Sequence, residues 1–70
     1  MKTIVIIGLG YVGLPLALQF SRSGAKVIGI DIDPAKIEAL KQGRSYIKHI
    51  TPEAIREQFA SGRLDVTADF

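Results

Sequence analysis

The sequence predicts an α/β fold built on a parallel sheet, and three observations lead to that prediction. Two apolar runs, residues 4–7 and 27–30, have the continuous hydrophobicity of parallel strands that are covered on both faces. A helical pattern separates them, as in a β-α-β unit. Two further pairs of helix start and stop signals follow, and a third short apolar run comes after them. We therefore expect the order β-α-β-α-α-β with right-handed parallel crossovers.

The first strand and the first helix are predicted from periodicity and capping residues. The strand covers residues 2–7, and the helix extends from about Tyr11 to Ser23, where Gly24 ends it as a left-handed cap. Pro15 is compatible with this helix only in its first turn, where a missing N–H loses no partner. The residues predicted to form its apolar face are Val12, Leu14, Leu16, Leu18, Gln19 and Phe20.

The second helix has a clear start signal. Asp33 is a typical N-cap, and Pro34 occupies the first helical position, where proline is favoured. We predict that this helix continues to about Gln42 and buries Ile37 and Leu40.

A third helix and a third strand complete the order. Residues 44–50 have no clean period and are predicted to form a loop. Thr51 then acts as an N-cap, and Ile55 and Phe59 are predicted to face inward. Residues 64–67 form the short third strand.

The most informative motif stands directly behind the first strand. Residues 8–13 read GLGYVG, the G-x-G-x-x-G pattern of a dinucleotide-binding Rossmann turn. Gly8 makes the tight turn out of the strand, Gly10 lets the backbone approach a pyrophosphate, and Gly13 lets the helix sit close to the strand. The helix N-terminus offers free N–H groups and a partial positive charge to phosphates.

An acid stands where this motif requires one. Asp31 ends the second strand, eighteen residues beyond Gly13, and the pattern expects a ribose-binding acid about 20 residues on. The alternative is an ordinary acid at a strand end or in a turn. Because strand, turn, helix, strand and acid fall in register, we favour the ribose-binding interpretation.

Composition limits the classes of function. The 70 residues make at most one small domain, and 47% hydrophobic and 23% charged residues are typical of a globular protein. Without cysteine there is no disulfide, thiolate metal site or thiol nucleophile. The net charge of +2 comes from scattered lysines and arginines, so we expect no nucleic-acid partner.

The uncharged stretch between Lys2 and Arg22 raises the alternative of a signal peptide or membrane anchor. Glycines and Pro15 interrupt it, and no cleavage site follows its apolar part. We expect a mature N-terminus, no membrane association and a cytoplasmic protein.

Several segments together resemble one family. Residues 7–17, with YVGLP at 11–15, resemble the N-terminus of the UDP-glucose/GDP-mannose dehydrogenase family, the nucleotide-sugar 6-dehydrogenases. The similarity continues through VIGIDID at 27–33 and covers nearly the whole chain. The further matching positions are Lys36, Ile37, Leu40, Gly62, Arg63, Leu64, Asp69 and Phe70.

The resemblance implies a fold, a reaction and partners. The chain would be the N-terminal part, residues 1–70, of a doubly wound NAD-binding domain, supplying strands three, two and one of the order 3-2-1-4-5-6. The family oxidises a sugar C6 hydroxyl to a carboxylate in two steps with two NAD, using a downstream cysteine. The catalytic and substrate domains would lie outside this chain, which alone would be inactive. The implied partners are NAD, a UDP-sugar and further copies in a homo-oligomer.

Cofactor-binding residues also follow from the resemblance: Gly8, Gly10, Tyr11, Val12, Gly13, Asp31 and Lys36. The backbone N–H groups of Tyr11 and Val12 would face the pyrophosphate. Asp31 would accept hydrogen bonds from the adenosine ribose, which Lys36 would also reach. From position alone, Lys36 could equally be a solvated lysine of the first helical turn.

The loop at residues 45–50, SYIKHI, looks like the UDP-N-acetylglucosamine 6-dehydrogenase branch. We interpret Tyr46 as a loop anchor and His49 as a surface residue, and we expect no metal site. A non-catalytic NAD-sensing domain is the alternative function, and a FAD-binding monooxygenase is a weaker one. Without a fourth strand, the first strand would be an exposed apolar edge, so the isolated chain is expected to self-associate.

Overall fold

A computed structural model describes residues 2–69. The strands are β1 (Thr3–Ile7), β2 (Lys26–Ile30) and β3 (Leu64–Thr67), and the helices are α1 (Gly13–Arg22), α2 (Pro34–Lys41) and α3 (Pro52–Ala60). The predicted order β-α-β-α-α-β is confirmed. The first helix begins at Gly13 instead of Tyr11, because residues 11–12 form a turn that leads into it.

The three strands form one parallel sheet in the order β1-β2-β3. Val5 of β1 lies opposite Ile28 of β2, which in turn lies opposite Asp65 of β3. The central strand is therefore β2, and its neighbours are the first and third strands of the chain. This arrangement is the predicted 3-2-1 half of a doubly wound sheet.

The predicted capping residues are confirmed. The Asp33 carboxylate accepts a hydrogen bond from the Ala35 N–H at 2.9 Å, and the Thr51 hydroxyl accepts one from the Ala54 N–H at 3.2 Å. Gly24 follows α1 with a φ of 101°, a left-handed conformation that favours glycine. Pro15 lies in the first turn of α1.

The core lies between the sheet and the three helices. Its buried members include Ile37 and Leu40 of α2 and Ile55 of α3, as predicted, while Phe59 is partly buried against them. The other buried hydrophobic residues are Leu9, Leu14, Ala17, Leu18, Val27, Ile47, Ile50, Leu64 and Val66.

The predicted apolar face of α1 is wrong in part. Leu14 and Leu18 are buried, but Val12 and Leu16 are 74% and 40% exposed, and Gln19 is exposed as well. The buried side of the helix consists of Leu14, Ala17, Leu18 and Ser21, whereas Val12 and Leu16 lie on a neighbouring, exposed side. Periodicity alone does not distinguish the two sides.

A buried polar contact, which the sequence did not predict, joins α1 to α3. The Ser21 hydroxyl donates to the Gln58 side-chain oxygen at 2.7 Å, and both residues are buried. The guanidinium of Arg63 donates to the backbone oxygen of Ser21, also at 2.7 Å. These bonds satisfy polar groups that would otherwise be costly to bury, and they fix α1 against α3.

Strand β1 lies at one edge of the sheet. The expectation that both of its faces are covered is wrong for the part of the chain that the structure describes, since Val5 and Ile7 are 52% and 71% exposed. With Val12 and Leu16 they form a contiguous apolar surface, the β1 edge patch. Within residues 2–69, no helix has the length and apolar character needed to cross a membrane.

Candidate functional site

The glycine-rich loop lies where β1 and β2 end and α1 begins. The Gly8 N–H donates to the Ile30 backbone oxygen at 2.7 Å, which continues the ladder between the two strands. Gly8 then turns the chain with a φ of 92°, in the left-handed region that other residues rarely adopt. The turn predicted at this residue is present.

Packing requires a glycine at position 13 but not at position 10. A Cβ on Gly13 would lie 1.7 Å from the Gly8 backbone oxygen, so the close approach of helix to strand excludes any side chain. A Cβ on Gly10 would meet nothing within 4 Å, and Gly10 is not among the glycines with positive φ. Neither the packing nor the conformation of residues 2–69 explains a glycine at position 10.

Leu9 holds this loop against the sheet. Its side chain is fully buried above Gly29 of β2, where an added Cβ would lie 2.8 Å from the leucine Cδ2. Its N–H donates to Asp31 Oδ2 at 2.8 Å, and its backbone oxygen accepts a hydrogen bond from the Tyr46 hydroxyl at 2.5 Å. We call Leu9, Gly29, Asp31 and Tyr46 the Leu9 corner.

Asp31 is ionised and firmly oriented in this corner. Only 8% of the residue is exposed, and its second oxygen accepts the Asp33 N–H at 2.9 Å. The hydrogen bonds from Leu9 and then Asp33 hold the pKa of the Asp31 carboxyl below its ordinary value of 3.8; burial opposes this shift and the nearby Lys36 ammonium supports it. The carboxylate is therefore available as an acceptor at neutral pH.

Lys36 lies between Asp31 and Tyr46. Its ammonium is 3.8 Å from Asp31 Oδ2 and 5.8 Å from the centre of the Tyr46 ring, within the range of a cation–π contact. Burial raises the pKa of Tyr46 to about 12, and the charges of Asp31 and Asp33 act in the same direction. The tyrosine thus stays a neutral donor throughout the physiological range.

The N-terminus of α1 points donors at the open side of the loop. Among residues 2–69, the N–H groups of Tyr11 and Val12 have no protein acceptor, and no side chain caps this helix. The first bond of the helical turn runs from the Leu14 N–H to the Gly10 oxygen at 3.1 Å. A groove of about 570 Å³ runs past this loop and along β1. Unpaired amides at a helix N-terminus are the donors that a pyrophosphate needs, so the residues fit this part of a dinucleotide.

All seven residues predicted to bind cofactor lie around this loop or at the adjoining end of β2. Tyr46 anchors its loop, as predicted, and His49 is exposed on the surface. The sequence did not predict the roles of Leu9 and Gly29. An isolated glycine within a strand is the signal that could have indicated Gly29, because it often marks a close approach. No group of three or more potential metal ligands occurs within the described residues.

A glycine-rich turn between a parallel strand and a helix, with an acid at the end of the next strand, defines a dinucleotide-binding half domain. The family model described as the UDP-glucose/GDP-mannose dehydrogenase family, NAD binding domain, matches residues 2–70. The chain belongs to this family, and NAD is its cofactor.

Individual relatives support the same assignment. The chain is 44% identical over 68 residues to GDP-mannose 6-dehydrogenase of Pseudomonas putida, covering 96% of this chain and 16% of that protein. It is 48% identical over 54 residues to UDP-N-acetyl-D-glucosamine 6-dehydrogenase of Salmonella typhi, covering 77% and 12%. The structure of a UDP-glucose dehydrogenase from Pyrobaculum islandicum matches with a TM-score of 0.91 at 36% identity, over 99% of this chain and 16% of that one. The chain therefore spans a small part of the length of its relatives.

Proposed function

We propose that these residues form the N-terminal part of the NAD-binding domain of a nucleotide-sugar 6-dehydrogenase. The complete enzyme would oxidise the C6 hydroxyl of a UDP-sugar to a carboxylate, for the synthesis of surface-polysaccharide precursors. NAD supplies the hydride acceptor when it is bound. The residues of this chain bind and orient that cofactor, while the catalytic groups and the sugar site lie in the rest of the enzyme, a cytoplasmic homo-oligomer.

The observation that carries this proposal is the glycine at position 10. Its missing side chain leaves open space beside the unpaired N–H groups of Tyr11 and Val12. A bound pyrophosphate accounts for that space, because oxygen atoms that accept from these amides must come close to the backbone. We assign Gly8 and Gly13 to shaping the loop.

Asp31 and Lys36 account for the ribose end of the cofactor. Each Asp31 oxygen accepts one backbone N–H, and a carboxylate oxygen has a second lone pair that can accept from a ribose hydroxyl. The same negative charge disfavours the 2′-phosphate of NADP. The Lys36 ammonium, 3.8 Å from Asp31 Oδ2, is placed to donate to the same ribose.

For the substrate we propose UDP-N-acetylglucosamine. Support comes from the SYIKHI segment at residues 45–50 and from the 48% identity to a relative named for that substrate. A relative named for GDP-mannose is 44% identical over more of the chain. Activity of the full-length protein toward UDP-N-acetylglucosamine, UDP-glucose and GDP-mannose, measured side by side, tests this choice.

The direct test of cofactor binding uses Gly10→Val in the full-length protein. The branched side chain would occupy the space assigned to the pyrophosphate, so we expect calorimetry to detect no NAD binding while circular dichroism shows an intact fold. Ala60→Val, at an exposed position at the end of α3, is the matched control and should bind NAD normally. Unchanged affinity in Gly10→Val would refute the assignment of this loop.

A further inference from the structure

Tyr46 joins two segments that are distant in sequence. It belongs to the loop between α2 and α3, yet its hydroxyl donates to the backbone oxygen of Leu9, 37 positions away, at 2.5 Å. The tyrosine is half-buried and packs against the core cluster, which fixes the position of its ring. This bond is directed at the backbone of the glycine-rich loop.

The bond to the Leu9 oxygen also orients the next amide. The peptide between Leu9 and Gly10 is trans and planar, so its C=O and N–H point in opposite directions. When Tyr46 holds the oxygen on its own side, the Gly10 N–H must point to the other side. An added Cβ on Gly10 would meet nothing within 4 Å among the described residues, so the bond from Tyr46 restrains this peptide plane from the Leu9 side.

The preceding peptide is held from another direction. The Leu9 N–H donates to Asp31 Oδ2 at 2.8 Å, and the leucine side chain is buried over Gly29. Both peptides flanking Leu9 are thus fixed, one by Asp31 and one by Tyr46. Lys36 adds a link between these two side chains, because its ammonium lies near the carboxylate and over the ring.

We propose that Tyr46 is a positioning residue for the pyrophosphate-binding loop and that it acts through the backbone oxygen of Leu9. The hydroxyl keeps the Gly10 N–H directed away from Tyr46 before any cofactor arrives, so that binding costs less reorganisation. This inference rests on the proposed function of the loop. It assigns to Tyr46 an effect on cofactor affinity that is transmitted through the Leu9 backbone oxygen.

The test is Tyr46→Phe in the full-length protein, which removes the hydroxyl and keeps the ring. We expect the dissociation constant for NAD to rise about 3- to 10-fold, the range that one hydrogen bond supplies. The KM for NAD should rise by the same factor, while kcat at saturating NAD stays within about twofold of wild type. A purely structural tyrosine would lower the urea midpoint and leave the NAD affinity unchanged.

Ser45→Ala is the matched control. It also removes a hydroxyl from this loop, but among residues 2–69 the Ser45 hydroxyl bonds only to the backbone of Ile47, within its own loop. We expect NAD affinity within about twofold of wild type, a change smaller than one hydrogen bond. Equal NAD affinity in wild type and Tyr46→Phe would overturn the proposal, and so would equal weakening in Tyr46→Phe and Ser45→Ala.

Amide hydrogen exchange separates this proposal from the proposed function. Loss of the bond from Tyr46 to the Leu9 oxygen should loosen the loop and with it the bond from the Leu9 N–H to Asp31. We therefore expect the Leu9 amide to exchange faster in Tyr46→Phe than in wild type and Ser45→Ala, with no cofactor present. If wild type failed to bind NAD, the proposed function would fall, and a faster exchange in Tyr46→Phe would still support positioning of the loop. Equal Leu9 exchange in all three proteins would overturn it.

Discussion

The Leu9 corner and the β1 edge patch lie close together along the chain and are built in opposite ways. In the corner, one buried leucine is held by a carboxylate at 2.8 Å, a phenol at 2.5 Å and a glycine that leaves room for its side chain. The edge patch consists of apolar side chains, of which Val5 and Ile7 are more than half exposed. The Leu9 corner is stabilised by directed hydrogen bonds, and the β1 edge patch is stabilised only by the apolar area that it buries.

That contrast predicts how each region responds to substitution. A directed contact between buried groups fails when one atom is added or one acceptor becomes a donor, because the partner is left unsatisfied. A half-exposed apolar side chain loses only part of its contacts. Small changes in the corner and the adjoining turn should therefore cost more than larger chemical changes on the edge.

Gly13→Ala should have the largest effect. Its Cβ would lie 1.7 Å from the Gly8 backbone oxygen, so strand and helix must separate, and we expect the free energy of unfolding to fall by about 3 kcal/mol or more. Gly10→Ala is the control, because its Cβ meets nothing within 4 Å and should cost less than about 1 kcal/mol. Urea denaturation of both variants measures this difference. Equal losses would mean that the two glycines are needed for the same reason.

Asp31→Asn should have the second-largest effect on the free energy of unfolding. The amide nitrogen cannot accept, so either the Leu9 or the Asp33 N–H loses its partner, at a cost of about 1–3 kcal/mol at neutral pH. Asp65→Asn changes an exposed aspartate on β3 and should cost much less. We also expect Asp31→Asn to bind NAD more weakly and to discriminate less against NADP, measured by calorimetry.

The effect of Asp31 should depend on pH in a definite direction. Because its pKa is lower in the folded state, its contribution to stability is present above the ordinary value of 3.8 and is lost as the pH falls below that value. The difference in unfolding free energy between wild type and Asp31→Asn should therefore shrink over the interval below about pH 4. A difference that stays constant over this interval would contradict the lowered pKa.

Tyr46 should affect stability at the other end of the pH scale. Its pKa of about 12 lies above the ordinary 10.0, so the folded state keeps a proton that the unfolded state loses, and stability should fall as the pH rises above 10. Tyr46→Phe removes this decline, so the free energies of unfolding of wild type and Tyr46→Phe should converge as the pH rises above 10. Phenolate absorbance, compared between wild type and Tyr46→Phe, locates the titration directly. A Tyr46 titration near pH 10 would contradict the raised pKa.

The sequence predicted the elements well because their signals are local. A cap such as Asp33 or a stop such as Gly24 depends only on its neighbours along the chain, and the structure confirms both. The site residues predicted from the motif lie together where β1 and β2 end. Gly29 and Leu9 were missed as partners because a glycine within a strand indicates a close approach but does not indicate which distant residue makes it.

The exposed face of α1 was missed for a related reason. Val12 and Leu16 have the spacing of a core stripe, and periodicity does not reveal that Ala17 and Ser21 are buried instead. A small residue such as Ala17 permits a close helix–sheet approach, but its size gives little hydrophobic signal. Sequence patterns therefore identified the helix and the buried Leu14 and Leu18, but they also assigned exposed residues to its core face.

The smallest effect on stability is expected at the edge, and one pair of variants measures the contrast. Val5→Thr and Val27→Thr make the same change on adjacent strands, but Val5 is 52% exposed and Val27 is fully buried. We expect Val5→Thr to stay within about 0.5 kcal/mol of wild type, while Val27→Thr loses about 1–3 kcal/mol because its hydroxyl is buried.

The 70-residue chain should self-associate as its concentration rises, because β1 presents an apolar edge. Light scattering should then give a lower mass for Val5→Thr combined with Ile7→Thr. If Val5→Thr and Val27→Thr lowered the free energy of unfolding equally at low concentration, this edge would be covered in solution. The contrast with the Leu9 corner would then disappear.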